Sequence, residues 1–259
     1  MEGSLSALIE QMCSVGKYQQ IFVYSSLLNP NFKFQDYYNL ASDFESLSRK
    51  GERFLFPSYT YSTRRGQDFD AHMSVPDPQN GALSRVVFEQ QRFSRTLDPD
   101  FSYLVLDEKW EEQNRTESVF NKSFGRHSYH DELFRSRSGI LLLGPVLTTG
   151  LTPVMHLECI HEVPWREFIN TQYFCQQEKV IKTYNYYAKI ADFPKEKLPD
   201  RTSLYPIIRN LTKTQRELFE SRSLEVLLFD WDEFAEDFSQ HLSSDLFFQK
   251  KSDLLNDFS

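Results

Sequence analysis

An uninterrupted apolar run, GILLLGPV (139–146), constrains the fold of this chain of 259 residues more than any other feature. A short apolar segment of this kind is typical of a strand buried on both faces of a sheet. The run is followed by LTPVMHLECIHEVPWR (151–166), which sets Thr152, His156 and Glu158 among apolar side chains. Open α/β sheets bind their ligands at the carboxyl ends of their strands. Polar groups at this point therefore indicate a functional site.

Strands and helices are predicted to alternate before that run. Residues 20–30 are predicted to form a buried strand that ends in small hydroxyl residues, 35–50 a crossover helix, and 53–62 the next strand, which together make a βαβ unit. The alternation continues to about residue 165. It predicts a layered α/β/α fold with a mixed central sheet, in which two sub-parts share one core.

The chain shows no internal repeat and no low-complexity linker, so a single domain over residues 1–259 is expected. Its N-terminal part, about 1–166, carries the motifs, and its C-terminal part, about 167–259, is predicted to be mostly helical. The other predicted elements are helices over 4–15, 81–91, 128–137 and 202–223, strands over 101–108 and 223–234, and a helix with a frayed end in the tail.

Charge and cysteine content exclude several classes of partner. The 37 acidic and 29 basic residues give a net charge of −8, which argues against a nucleic-acid or anionic-membrane surface. Three scattered cysteines favour a reducing compartment over a disulfide framework. The N-terminus lacks a basic leader, and no apolar run approaches the ~20 residues of a membrane helix. A cytoplasmic protein is expected, and the oligomeric state is left open.

Standard nucleotide, hydrolase and zinc motifs are absent from the sequence. It contains no G-x-x-x-x-G-K-[ST], G-x-G-x-x-G, G-x-S-x-G or paired C-x-x-C, so NTPase, dinucleotide oxidoreductase, serine hydrolase and zinc-ribbon interpretations lose support. His127 and His130 lie three apart on a predicted helix and can bind a metal. Without further ligands they are more commonly surface bystanders, and no metal is predicted.

His156 and Glu158 alternate along what the sequence predicts to be a strand, so both are expected on one side, where the carboxylate can orient the imidazole. A general base needs that arrangement. The alternative, which the spacing alone favours, is a half-buried histidine with its hydrogen bonds satisfied and a solvated glutamate. Cys159 beside them is expected to be a packing residue.

Seven short segments are weak signals individually and specific in their order and spacing. They are VYSSLL (23–28), FPSYTYS (56–62), GALSRVV (81–87), RTLDPDFS (95–102), NKSFGRHS (121–128), GILLLG (139–144) and LTPVMHLECIHEVPWR (151–166). In this order they resemble the aminoglycoside 3-N-acetyltransferase family. The likeness spans roughly residues 5–166 and continues more weakly to the C-terminus.

The resemblance implies a reaction, a co-substrate and a set of binding positions. Members of the family transfer an acyl group from acyl-coenzyme A to an amine without a covalent acyl-enzyme, and two sub-parts of one α/β fold hold the coenzyme between them. Backbone N–H groups and hydroxyls at helix starts suit phosphates and pantetheine amides. The positions that match the family's coenzyme-binding turns are Tyr24, Ser25, Ser26, Leu27, Gly81, Ala82, Leu83 and Ser128. Taken singly, each of these positions is equally well explained as a simple cap or turn.

The family motif Arg-Ser-x-His-Pro-x-x-Ser has an aspartate, Asp98, in place of its histidine here. A carboxylate with an ordinary pKa of about 3.9 is a feeble base, although burial can raise that pKa. The resemblance implies that Asp98 binds or deprotonates the accepting amine. The alternative is an Asx-type turn cap before Pro99.

The family motif Thr-x-x-His-x-x-Glu is also altered. Thr152 and Glu158 match it, but Met155 occupies the histidine position and His156 lies one residue later. The candidate catalytic residues are therefore Asp98, His156 and Glu158, with the identity of the base left open.

The polar segment after residue 62 carries groups suited to the acceptor. Tyr61, Asp68 and Asp70 resemble family positions near the amine-binding cleft, where acidic groups attract an amine. Arg64 and its neighbour Arg65 suit a phosphate, such as the pyrophosphate of a sugar nucleotide. The alternative is a solvated loop.

These observations lead to one functional expectation with two alternatives. The Asp-Pro motif resembles family members associated with bacterial surface-polysaccharide gene sets, so the leading expectation is an acyl-coenzyme A dependent N-acyltransferase acting on a nucleotide-linked amino sugar. One alternative is N-acetylation of an aminoglycoside or another natural-product amine. The other is a non-catalytic member that binds the coenzyme or a sugar.

Overall fold

A computed structural model describes residues 5–27, 33–107, 120–144, 151–194, 198, 204–211 and 226–242. Within these residues the strands are β1 (Gln20–Ser25), β2 (Phe54–Pro57), β3 (Ser94–Arg95), β4 (Tyr103–Val105), β5 (Ser138–Leu143), β6 (Arg166–Cys175), β7 (Val180–Lys189) and β8 (Val226–Asp230). Six of them form the central sheet in the order β3-β4-β2-β1-β5-β8, and β6 pairs with β7 in a separate hairpin.

The centre of the sheet is parallel and its margins are antiparallel. β1 lies parallel to both β2 and β5, whereas β4 and β8 pair antiparallel with β2 and β5, and β3 pairs antiparallel with β4. β2 and β5 are buried along their whole length, and β1 is buried up to its last residue. Strands covered on both faces are expected to be near-continuous apolar runs, as the sequence shows. The predicted mixed central sheet is confirmed.

Helices cover both faces of the sheet. They are α1 (Leu5–Gly16), α2 (Phe34–Ser48), α3 (Ala82–Gln90), α4 (Tyr129–Leu133), α5 (Val154–Ile160), α6 (Tyr205–Leu211) and α7 (Trp231–Leu242), with 3-10 turns at Tyr61–Arg65 and Pro78–Asn80. Ile21 and Val23 pack with α1, α2 and α3 on one face, while Phe22 and Tyr24 pack with α5, α6 and α7 on the other. None of the helices in the described ranges is long and apolar enough to span a membrane.

The ends of β1 and β5 approach each other closely. Gly144, just after β5, has a φ of +106°, and a Cβ added there would lie 2.3 Å from the carbonyl oxygen of Ser26. The Ser26 N–H also donates to the carbonyl of Leu143 at 2.8 Å. The turn after β1 is therefore fixed against the end of β5.

Residues 154–160 form α5, so the prediction that His156 and Glu158 alternate on a strand is wrong. Pro153 already has the helical φ of −53° and ψ of −26°, and proline is well suited to the start of a helix. Residues two apart on a helix are rotated by about 200°, since each residue turns about 100°. The two side chains therefore point in nearly opposite directions.

The β6–β7 hairpin corrects the expectation that the part after residue 166 is mostly helical. Its strands are rich in tyrosine, phenylalanine, isoleucine and threonine, which favour strands. Both faces of the hairpin are partly exposed, as at Phe168, Ile169 and Ile181. The sequence therefore lacks the regular alternation of apolar and polar residues that identifies a strand.

Candidate active site

Several of the predicted coenzyme-binding residues meet at the carboxyl end of β1. Ser25 is the last residue of β1, and a Cβ added at Gly81 would lie 3.3 Å from the carbonyl oxygen of Ser25. Gly81 is the N-cap of α3 and, as a glycine, has no side chain with which to cap the helix. The N-terminus of α3 thus brings backbone N–H groups and a partial positive charge next to the hydroxyl-rich turn after β1.

The other predicted coenzyme positions are placed differently. Leu27 and Leu83 are buried in the apolar core of that face, and Ala82 is exposed at the first turn of α3. Ser128 caps α4, because its Oγ donates to the carbonyl of Gly125 at 2.6 Å and accepts the Asp131 N–H at 3.1 Å. The hydroxyl of Ser128 is therefore used within the protein.

His156 projects from α5 into a buried aromatic environment and is only 3% exposed. Its Nδ1 accepts a long hydrogen bond, 3.3 Å, from the N–H of Gly125. The His130 ring lies nearly parallel to it, with the ring centroids 6.4 Å apart. Burial lowers the pKa of His156 to about 4, and the Asp131 carboxylate offsets only part of that effect. The imidazole is therefore neutral at pH 7.

Glu158 does not orient His156. Its carboxylate pairs with the guanidinium of Arg166 and accepts the indole N–H of Trp165 at 3.2 Å. The side chains of Glu158 and Arg166 are only 7% and 9% exposed, respectively. This buried ion pair connects α5 to β6, and the expected pair of base and orienting carboxylate is not formed.

Asp98 is almost completely buried, at 1% exposure. Its Oδ1 accepts the N–H groups of Asp100 at 3.0 Å and Phe101 at 2.9 Å and the hydroxyl of Tyr184 at 2.7 Å. This is the Asx turn that the sequence offered as an alternative. Oδ2 has no hydrogen-bond partner in the described part of the chain, and burial raises the pKa of the carboxyl group. Within the described residues, Asp98 and Glu158 have no hydrogen-bond partner in common.

The rest of the RTLDPDFS segment (95–102) acts as scaffold. Arg95 is fully buried, and its guanidinium donates to the carbonyls of Ser58 and Ser74 and to Ser102 Oγ. Burial lowers the pKa of Arg95 to about 9. The resemblance in this segment therefore reflects a structural role in joining three loops.

Arg64, predicted to bind phosphate, is engaged by a buried carboxylate. Its Nε and Nη2 donate to Asp100 at 2.8 Å each, and its guanidinium lies 4.5 Å from the ring centroid of Tyr61. Burial raises the pKa of Asp100 to about 7, against the opposing effect of Arg64. A phosphate at Arg64 would have to compete with this carboxylate, whereas Arg65 is exposed.

Asp68 and Asp70 shape the loop that carries them. The Asp68 carboxylate accepts from Gln176 Nε2 at 2.8 Å, in the turn of the β6–β7 hairpin. Asp70 accepts the N–H groups of His72 and Met73 at 2.8 and 3.0 Å. A role for either carboxylate in binding an amine stays a prediction.

Sequence reasoning missed a buried chain of hydroxyl groups that runs to His130. The Tyr103 hydroxyl lies 3.0 Å from His130 Nε2, 2.7 Å from the Tyr24 hydroxyl and 3.3 Å from the Tyr59 hydroxyl. Burial raises the pKa of Tyr59 well above its usual range, and a side-chain hydrogen bond from Thr152 opposes part of that rise. His130 is fully buried, so its description as a surface histidine is wrong. The only sequence signal is a tyrosine inside an apolar strand.

The structure gives no support for metal binding at His127 and His130. Among the described residues, no group of three or more His, Cys, Asp or Glu side chains is placed to hold a metal ion. The cysteines Cys13, Cys159 and Cys175 are free, and burial raises the pKa of Cys159 to about 11. A thiol with that pKa is a poor nucleophile at pH 7, as expected of a packing residue.

Replacing Gly125 with alanine is expected to destabilise the protein more than the same change at Gly66. Both glycines have a left-handed φ, +83° and +74°, where alanine costs about 1–2 kcal/mol. A Cβ at Gly125 would also lie 2.6 Å from Cys159 Sγ, whereas at Gly66 the nearest atom is 3.7 Å away. Relieving that clash should cost a further ~1–3 kcal/mol and displace α5. Urea unfolding of G125A and G66A measures the difference, and equal losses would contradict it.

Comparison with known proteins gives matches among solved structures. No family model matches the sequence, and no curated protein sequence matches it. The structure of AAC-VIa bound to sisomicin matches with a TM-score of 0.66 and 15% identity, over 94% of this chain and 98% of that chain. Aminoglycoside acetyltransferase AAC(3)-Xa matches with a TM-score of 0.64 and 13% identity, over 93% of each chain. AAC-IIIb in its binary complex with CoASH gives 0.62 and 14%, over 92% and 96%.

The chain has the fold of the aminoglycoside acetyltransferases. The match extends over nearly all of both chains, so the acetyltransferase fold includes the β6–β7 hairpin region as well as the central sheet. The resemblance drawn from the seven sequence segments is confirmed at the level of the fold. At this level of identity, activity and ligands do not follow from the acetyltransferase fold alone.

Proposed function

We propose that this protein is an acyl-coenzyme A dependent N-acyltransferase. The observation that carries the proposal is the position of His156. This buried, neutral imidazole lies on the helix that follows β5, in an acetyltransferase fold whose β1 ends beside the uncapped start of α3. A neutral imidazole can accept the proton that the attacking amine loses, and a helix start can bind a phosphate of the coenzyme.

The residues at the end of β1 fit a coenzyme. Gly81 leaves room for close backbone approach beside Ser25, and the first N–H groups of α3 receive no side-chain cap from Gly81, so they suit a phosphate or an amide oxygen. Ser25 and Ser26 are half-buried hydroxyl residues. The CoASH complex of AAC-IIIb, which has this fold, supports the assignment. When bound, the coenzyme supplies the thioester that carries the acyl group.

The reaction proceeds by direct attack of the amine on the thioester carbonyl. A carbon–nitrogen bond forms, the carbon–sulfur bond breaks, and the proton lost from nitrogen passes through His156 to the departing sulfur. His156 accepts a proton on Nδ1 once it releases the Gly125 N–H. That hydrogen bond is long, at 3.3 Å, so its loss costs little. Asp98 is enclosed in its Asx turn, which leaves His156 as the better placed candidate for the base. With a pKa of about 4, His156 is a weak base, so it accepts the proton only once the forming carbon–nitrogen bond has made the nitrogen strongly acidic.

The acceptor we propose is an amine-bearing sugar. The sisomicin complex of AAC-VIa supports an aminoglycoside. The exposed Arg65, next to the partly exposed Arg64 that pairs with the buried Asp100, supports the nucleotide-linked amino sugar of a surface polysaccharide. These two acceptors differ in charge, since the first is a polycation and the second carries a pyrophosphate.

The test is acceptor-dependent release of coenzyme A. Purified protein is incubated with acetyl-coenzyme A and either an aminoglycoside, a nucleotide-linked amino sugar or a simple amino sugar, while the free thiol is followed. A reaction without acceptor corrects for hydrolysis and for the three cysteines of the protein. Mass spectrometry should show an acetylated amine. If no amine causes thiol release while calorimetry shows that the coenzyme binds, the proposal is overturned in favour of a binding module.

A further inference from the structure

The protonation state of His130 is set by one backbone carbonyl. His130 is fully buried, and its Nδ1 lies 2.9 Å from the carbonyl oxygen of Ser123. A carbonyl can only accept, so Nδ1 carries the ring proton. Burial, reinforced by the neighbouring His156, holds the pKa of His130 well below its usual range. In this neutral ring, Nε2 is an acceptor only.

The direction of the neighbouring hydrogen bonds follows from that acceptor. The Tyr103 hydroxyl, 3.0 Å from Nε2, must give its single proton to His130. Tyr24 and Tyr59 must then donate to the Tyr103 oxygen, at 2.7 and 3.3 Å. Tyr59 has used its proton, so Thr152 must donate to Tyr59. Every hydroxyl in the chain is oriented toward His130.

This chain of hydroxyl groups joins the three segments that the proposed function assigns to the coenzyme, the acceptor and the base. Tyr24 is in β1 next to the turn at Ser25 and Ser26, and Tyr59 follows β2 and leads into the polar segment that carries Arg64 and Arg65. Thr152, which is half-exposed, lies one turn before His156. Because its proton points inward, Thr152 offers an oxygen lone pair to any further partner, and an amine is a hydrogen-bond donor.

We propose that His130 is a positioning residue for acyl transfer, and this proposal rests on the proposed function. It fixes the direction of the hydroxyl chain, so that Thr152 presents an acceptor to the incoming amine beside His156. His130 does not touch the reacting atoms and acts through Tyr103, Tyr59 and Thr152.

The kinetic test compares two replacements of His130. His130→Phe keeps a ring against Phe124 and Phe134 but removes the acceptor for Tyr103. His130→Gln retains an acceptor oxygen near the position of Nε2. We expect kcat to fall about tenfold or more in H130F and to recover in large part in H130Q. The affinity for coenzyme A, measured by calorimetry, should not change in either variant.

A matched control removes a buried hydrogen bond that is not part of the chain of hydroxyl groups. Thr96 Oγ1 accepts the backbone N–H of Tyr103 at 2.9 Å. T96V should therefore lose stability with kcat near that of the wild type. An H130F variant with unchanged kcat, or one whose kcat falls only as far as that of T96V, would overturn the positioning role. Lack of turnover in the wild type would instead overturn the proposed function, and the positioning role with it.

A second readout does not depend on activity. Nitrogen-15 NMR of histidine-labelled protein reports which ring nitrogen carries the proton. We expect His130 as the Nδ1–H tautomer and His156 as the Nε2–H tautomer, since its Nδ1 accepts from Gly125. H130Q and H156N assign the two signals. An Nε2–H tautomer at His130 would reverse the chain and overturn the inference.

Discussion

Replacing His156 with asparagine is expected to lower kcat for acyl transfer by about 10²- to 10⁴-fold, the usual contribution of general acid–base catalysis. Asparagine keeps an oxygen near the position of Nδ1 to accept the Gly125 N–H, so α5 and the turn before α4 should stay in contact. The loss would then reflect the missing base. Steady-state thiol release with saturating acceptor measures it.

A control for this variant is His127→Asn in the neighbouring turn. His127 is exposed and has a φ of +55°, a conformation that asparagine adopts readily. H127N should keep wild-type kcat and stability. Comparable losses in both variants would mean that His156 contributes through the fold and not through the chemistry.

The pH dependence of the reaction follows from the same burial. The pKa of His156 lies at about 4 in the folded protein, so its neutral, proton-accepting form is present at any higher pH and is lost only as the pH falls through that value. Between pH 5 and 8 the rate should therefore follow the deprotonation of the acceptor amine. A decline centred near the ordinary histidine pKa of about 6.5 would contradict a desolvated His156.

Replacing Arg166 with methionine is expected to destabilise the protein by about 3–5 kcal/mol, because it leaves the Glu158 carboxylate buried without its counter-charge. The double replacement R166M/E158M removes both charges and should recover most of the loss, although the indole N–H of Trp165 then lacks its acceptor. Urea unfolding of the wild type, both single variants and the double variant gives the coupling energy directly.

A surface pair provides the matched control. Arg85 and Glu89 are 49% and 36% exposed and lie 2.7 Å apart on α3. R85M should cost no more than about 1 kcal/mol, since water screens exposed ion pairs. If R166M costs no more than R85M, the connection between α5 and β6 is solvated in solution.

The sheet could be predicted from the sequence because its central strands are buried on both faces. A continuous apolar run such as GILLLGPV (139–146) has few alternatives to a buried strand in a chain of this length. The spacing of His156 and Glu158 predicts a strand, whereas Pro153 starts a helix and residues 154–160 form α5. The hairpin does not show in the sequence pattern because its exposed apolar residues interrupt the alternation of apolar and polar positions.

The candidate site was predictable where function depends on backbone and unpredictable where it depends on distant partners. The turn at Ser25 and the glycine at Gly81 are local motifs, and the structure brings them together. Whether Glu158 serves His156 or Arg166 is decided by a strand that begins eight residues later. Likewise, nothing near His130 in the sequence indicates Tyr103, to which it is joined only by the packing of α4 against the sheet.

The polar segment after Tyr61 and the turn of the β6–β7 hairpin share a backbone interface. Phe69 donates its N–H to the carbonyl of Phe174 and accepts the N–H of Gln176, both at 3.0 Å, and Asp68 holds the Gln176 amide. An engineer who exchanges this loop for that of another enzyme would have to transplant the hairpin tip with it. The two segments form one structural unit, so a change in either one would alter the conformation of the other.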